Sequence, residues 1–152
     1  NIINESLDEV FDVAVLVEVL EHIPPSDIDA FVSGIRGALC NGGTLILTVP
    51  HTNSSLAAKH YQHFNSADLR SILDPYFGKI KTIPFDANPG KMKLWERLPM
   101  SISRRLLGGE GKYFVVTSSW MNNILFRLYL NNYLYTNTEK RCARICVVAE
   151  AA

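Results

Sequence analysis

Two kinds of hydrophobic pattern alternate along this chain. Val13 to Val17 is an unbroken apolar run rich in β-branched residues, which predicts a strand buried on both faces of a parallel sheet. Pro24-Pro25 then stop that element, and Ser26 with Asp29 makes a capping-box-like helix start. Ile28, Phe31, Val32, Ile35 and Leu39 follow as one apolar stripe. Gly34 and Gly37 interrupt that helix at a cost of roughly 1 kcal/mol each, which predicts close packing on the sheet. Asn41-Gly42-Gly43 supplies a left-handed stop. Thr44 to Val49 is a second buried run, closed by Pro50. Strand, helix and strand within about forty residues predict a right-handed crossover between parallel strands.

Beyond Pro50 the helical pattern returns. Asn65-Ser66 caps a short helix with the stripe Leu69, Ile72, Leu73 and Tyr76. Phe77 to Phe85 reads as a third strand, ended by the turn-forming Asp86-Ala-Asn-Pro-Gly90. Arg141 to Glu150 reads as a fourth, carrying the apolar run Ile145 to Ala149. Between them, residues 91–138 predict a helical insertion too long for an ordinary connection. Its stripes are Leu94, Trp95 and Leu98 before Pro99, then Ile102, Leu106 and Leu107. A break at Gly108-Gly109-Glu110-Gly111 follows, and the stripe from Trp120 to Tyr129 comes last. The fold class is α/β.

Composition changes this picture little. The 152 residues suffice for one domain with a core, and 47% hydrophobic with 20% charged residues is ordinary for a globular protein. No apolar run approaches the ~20 residues needed to span a bilayer, and no basic stretch precedes an apolar one at the N-terminus. Three cysteines, Cys40, Cys142 and Cys146, match no zinc or redox spacing. Free thiols in a cytoplasmic protein are the expectation. The net charge of zero conceals a split: ten acids against three bases up to Asp74, and five against twelve from Pro75 onward. The basic half suits an anionic partner or a solvated face.

Candidate chemistry sits where the strands end. Ligands of open parallel sheets bind beyond the carboxyl ends of the strands. The first strand runs into Glu18, Glu21 and His22, and the second into His51. His60 and His63 follow in the next loop, so every histidine falls at or after the crevice side. An imidazole titrates near neutrality and suits removal of a proton from a hydroxyl.

Phe11-Asp12 with Glu18-Val-Leu-Glu-His22-Ile, and then Leu39-Cys-Asn-Gly-Gly43-Thr-Leu-Ile-Leu-Thr-Val-Pro50, resembles the second half of a class I S-adenosylmethionine-dependent methyltransferase. His60 to Leu73 resembles the histidine-containing segment after that family's fifth strand. The resemblance implies a partial Rossmann-like sheet, mostly parallel with an antiparallel last strand. It also implies methyl transfer from S-adenosylmethionine to an oxygen of a small molecule: a sugar, a lipid-linked metabolite or a quinone precursor. By the same resemblance Val17 and Glu18 lie against the cofactor's methionine part; from their chemistry and place at the crevice, His22 and His51 are the candidate catalytic residues, and His60 and His63 are expected to meet the acceptor. Some members bind a divalent metal through a Glu-x-x-Glu-His pattern, which Glu18, Glu21 and His22 match, so Mg²⁺, Mn²⁺ or Zn²⁺ is an expected companion.

The family's opening strand and Gly-x-Gly-x-Gly loop have no counterpart in this sequence. Residues 1–152 are therefore expected to form one partial domain, with the Val13 strand left as an apolar edge. The alternatives are an RNA 3′-end methyltransferase or a non-catalytic binding module on the same fold. A DNA partner is not expected. The insertion at 94–135 is expected to act as a lid or to touch a membrane peripherally.

Overall fold

The computed structural model describes residues 9–91, 127 and 138–152. The helical stripes expected over 94–135 fall, Arg127 apart, outside those residues. Four strands form the sheet: β1 (Phe11–Val17), β2 (Leu39–Pro50), β3 (Phe77–Ala87) and β4 (Cys142–Ala151). Two helices, α1 (Ile28–Gly37) and α2 (Ser66–Leu73), lie between them in the chain. The order across the sheet is β1-β2-β4-β3. β1 and β2 are parallel, and β4 runs antiparallel to both β2 and β3.

The core lies on one face of this sheet. Leu45, Leu47 and Val49 of β2 and Ile145, Val147 and Ala149 of β4 alternate inward, as period-two pleating requires. Against them pack Ile28, Phe31, Val32 and Ile35 of α1 and Leu69 and Leu73 of α2, so both sequence stripes are buried as expected. Tyr76 Oη donates to Asp29 Oδ1 at 2.7 Å and ties the end of α2 to the start of α1.

β1 is the apolar edge expected of the Val13 strand, but the burial expected on both its faces is absent. It is the edge of the described sheet and is not buried on both faces: Val13, Val15 and Val17 are 50%, 60% and 63% exposed. Their partners in register, Thr44, Ile46 and Thr48, are only half-buried. The sequence run could not distinguish a strand covered twice from one whose second apolar face stands open.

Local signals fared unevenly. Asn65 Oδ1 accepts from the amides of Ala67 and Asp68, and Asp68 Oδ2 accepts from the Asn65 amide in return, a complete capping box. At α1 the expected box is absent: Ser26 Oγ bonds Asp27 Oδ1 instead, and the helix begins at Ile28. The stop also moves. α1 ends at Gly37, ahead of Asn41-Gly42-Gly43. Those glycines form an irregularity at the start of β2, where register passes from Phe11–Leu39 to Val13–Thr44. Gly42 adopts φ 76° there. A Cβ at Gly43 would stand 2.9 Å from the Cys40 carbonyl, so glycine is needed for close backbone approach. Gly37 is exposed with open space around it, contrary to the packing expected of it.

Candidate active site at the carboxyl end of the first strand

β1 is stopped by its own backbone. Glu18 has φ 53°, a conformation uncommon outside glycine, while its amide still donates to the Thr48 carbonyl. A one-turn 3₁₀ segment, Leu20–His22, follows, its amides closing on Val19 and Leu20. This turn buries Leu20 and, unexpectedly, the whole of Glu21. The Glu21 carbonyl then accepts from the Tyr61 amide at 2.9 Å, which lays the histidine loop against the end of β1.

That contact assembles three histidines around Glu21. A carboxylate oxygen of Glu21 and a ring nitrogen each of His22 and His60 lie within 4.8 Å of one another. The rings of His22 and His60 meet edge-on with centroids 4.7 Å apart. His63 stands behind them, its Nε2 2.8 Å from His60 Nδ1. Both Glu21 oxygens are buried without a hydrogen-bond partner among the described residues. Burial, with the Glu18 charge adding to it, pushes the Glu21 carboxyl above its ordinary value, against the pull of its own backbone N–H and of nearby His22 and His60.

The surrounding carbonyls fix the tautomers. His22 Nδ1 lies 3.0 Å from the Lys59 carbonyl and His63 Nδ1 lies 3.2 Å from the Ser54 carbonyl. A carbonyl only accepts, so both Nδ1 atoms carry protons. Neutral His63 then accepts at Nε2 from His60 Nδ1–H. In the neutral rings this tautomer turns Nε2 of both His22 and His60 into the acceptor nitrogen. Sequence spacing had no means of showing this, because the bonds run to backbone oxygens of the loop itself.

His51 does not join the cluster. It is 5% exposed at the end of β2, with Nδ1 accepting from the Asn53 amide at 2.8 Å and Nε2 3.3 Å from Glu139 Oε1. The same Glu139 oxygen accepts from the Ser66 amide at the start of α2. Burial raises Glu139's pKa, but the Ser66 bonds and His51 outweigh it and leave the carboxyl below its usual value. Both His51 nitrogens are therefore engaged within the protein. Its geometry is that of a pin joining β2, α2 and the approach to β4, apart from the Glu21 cluster. Next to it, burial pushes the Cys142 thiol up to about 11, which leaves it unreactive.

Glu18 also parts from the expected metal trio. Its Oε2 lies 3.3 Å from Arg144 Nε, and Arg144 Nη1 donates to Asp86 Oδ2 at 2.7 Å. Asp86 has φ 57°, so one guanidinium joins the two residues other than glycine that hold positive φ among the described residues. Val17, the other expected cofactor contact, ends β1 with its side chain on the open face. His60 stands where the sequence placed Glu18 in the ligand set.

No known family profile matches the sequence, and no curated protein matches it. Among solved structures, an S-adenosylmethionine-dependent methyltransferase from Archaeoglobus fulgidus superposes with a TM-score of 0.58 at 12% identity, over 97% of this chain and 62% of that one. The phosphoethanolamine N-methyltransferase 2 of Haemonchus contortus gives 0.54 at 15%, over 99% and 36%. The N-methyltransferase NodS of Bradyrhizobium japonicum gives 0.52 at 10%, over 99% and 51%. The chain thus spans less than two thirds of the length of each. At these identities the likeness is one of fold. A four-stranded mixed sheet with its two helices, matched along nearly the whole chain, is part of the Rossmann-like fold of class I S-adenosylmethionine-dependent methyltransferases.

Proposed function

We propose that this chain forms the acceptor side of an S-adenosylmethionine-dependent methyltransferase acting on an oxygen of a small molecule. One observation carries the reading: His22 is 44% exposed at its side chain just past the carboxyl end of β1, with Nδ1 held by the Lys59 carbonyl and Nε2 facing away from that bond. Ligands of open α/β sheets gather at that edge. Val17 and Glu18 border the same edge and suit the methionine end of the cofactor. His22 Nε2 would take the hydroxyl proton as the oxygen attacks the sulfonium methyl, the methyl C–S bond breaking to release S-adenosylhomocysteine, and His60, steadied by His63, would hold the acceptor in line. A divalent cation, when bound to this cluster, would supply Lewis acidity to the acceptor oxygen. His22 would then be a ligand rather than the base, and chelation separates the two cases.

The test uses methyl-labelled S-adenosylmethionine and a panel of hydroxyl and amine acceptors. The chain alone should bind the cofactor poorly, and a form extended upstream by a strand and glycine loop should bind and turn over. In that form His22→Asn should slow transfer by about 10²–10⁴-fold, the usual contribution of a general base. Micromolar cofactor binding by residues 1–152 alone would sink the partial-domain reading. Transfer at the normal rate by His22→Asn would remove the base, and labelling of amines alone would replace oxygen by nitrogen.

A further inference from the structure

We infer that a cleft beside α2, lined by Gln62, His63, Phe64, Asp68, Ser71 and Ile72, binds a neutral ring bearing adjacent hydroxyl groups, one sugar ring in size. That such a ring is the methyl acceptor rests on the methyl-transfer reading, whereas its binding does not. His63 belongs to both sites: it lines the cleft, and its Nε2 lies 2.8 Å from His60 Nδ1. An occupant of the cleft therefore touches a ring that itself touches His60. The cleft measures about 280 Å³, just under the range of about 300–1,000 Å³ that holds drug-sized ligands. A single ring suits that space.

The polar groups of the wall ask for opposite things. Gln62 is half-buried, and its Nε2 is buried outright with no acceptor among the described residues. A buried donor left unpaired costs about 1–3 kcal/mol, so an acceptor oxygen is wanted there. Asp68 wants a donor. Its Oδ2 accepts from the Asn65 amide in the α2 cap, which leaves Oδ1 to serve a ligand. Ser71, exposed three residues on and so on the same side of the helix, has a hydroxyl that both gives and takes.

These demands select the ligand by elimination. An anion would satisfy Gln62 but meets the Asp68 carboxylate. Nor does the start of α2 help it, because the amides of Ser66, Ala67 and Asp68 are already held by Glu139 Oε1 and Asn65 Oδ1. An ammonium would satisfy Asp68 but offers Gln62 no lone pair. A hydroxyl both donates and accepts, and two neighbouring ones serve Asp68 and Gln62 together. His63 has both nitrogens engaged, on His60 and on the Ser54 carbonyl, so it contributes ring surface. Phe64 and Ile72 supply apolar surface for the carbons of the ligand ring.

The test reads binding first. The 152-residue chain is mixed with the methyl glycosides of glucose, galactose and mannose and followed by saturation-transfer nuclear magnetic resonance. Glucose 6-phosphate and ethanolamine supply the anion and the ammonium. At least one neutral glycoside should bind saturably in the millimolar range, at least tenfold more tightly than either charged probe. Ser71→Leu fills the cleft from an exposed position and should weaken binding at least tenfold with circular dichroism unchanged. Gln62→Leu should weaken it as much yet leave the urea midpoint equal or higher, because it removes a donor that has no partner. A lower midpoint with binding intact would overturn the part given to Gln62. Asp68→Asn keeps an oxygen for the cap and should narrow the gap between neutral and phosphorylated sugar, and an unchanged gap would overturn the elimination.

The cleft itself is refuted by no saturable glycoside binding up to tens of millimolar, by equal or tighter binding of either charged probe, or by wild-type affinity in Ser71→Leu. The upstream-extended form then separates this inference from the methyl-transfer reading. A glycoside bound but never methylated keeps the cleft and removes the reaction. Methylation at an unchanged rate in Ser71→Leu keeps the reaction and removes the cleft.

Discussion

The open face of β1 can be tested against the packed face directly beside it. Leu47, 1% exposed, pairs in register with Leu16, while Val15, 60% exposed, pairs with Ile46 on the other side of the sheet. Leu47→Ala removes a fully buried side chain and should cost about 2–5 kcal/mol. Val15→Thr exchanges one methyl for a hydroxyl at a β-branched position of equal strand preference. A buried methyl contributes about 0.8 kcal/mol, so at 60% exposure the loss is about 0.3 kcal/mol. With a urea slope of about 2 kcal/mol/M, the two midpoints should fall by about 1–2.5 M and by about 0.2 M. Equilibrium urea unfolding followed by circular dichroism separates these outcomes easily. A Val15→Thr loss above about 1 kcal/mol would mean that the face is covered in the folded chain, and the reasoning from exposure would fail.

Two further outcomes follow from single residues. Gly43→Ala should cost about 1–3 kcal/mol, since its Cβ meets backbone at 2.9 Å, whereas Gly37→Ala, in open space at the end of α1, should gain about 0.4–1 kcal/mol; thermal midpoints moving together would contradict this. Glu139 has a folded pKa below its unfolded value near 4.5, so its contribution is present above pH 4.5 and is lost as pH falls through the lower folded value. Glu139→Gln should therefore destabilise by less than about 1 kcal/mol at pH 7, the carboxylate being 41% exposed, and match the wild type in strong acid. A deficit that grows as pH falls would reverse the sign.

The elements were legible because they rest on periodicity within one segment. Val13 to Val17, the stripe from Ile28 to Ile35, and the Asn65–Asp68 box all involve neighbours in sequence, and the strands and α2 sit within a few residues of where those signals put them. The site was legible in part. Glu21, His22, His60 and His63 were all marked by falling after strand ends, yet their grouping was not, because it depends on one backbone bond from Tyr61 to Glu21. The partners of Glu18 and His51 were hidden for the same kind of reason. Their partners, Arg144 and Glu139, lie on the far side of the insertion, where no local pattern reaches.

The place of β4 in the sheet also governs how the protein is made. This strand lies between β2 and β3, so Thr44 waits for Glu150 and Ile80 for Ala149. At about 5–20 residues per second, roughly 5–20 s of synthesis separate β2 from its partner. During that interval β2 and β3 hold unpaired backbone edges beside apolar side chains, a template for wrong pairing. Ribosome stalling between residues 90 and 140 should therefore expose a chain that helper proteins must hold, and emergence of Cys142–Ala151 lets β4 close the sheet.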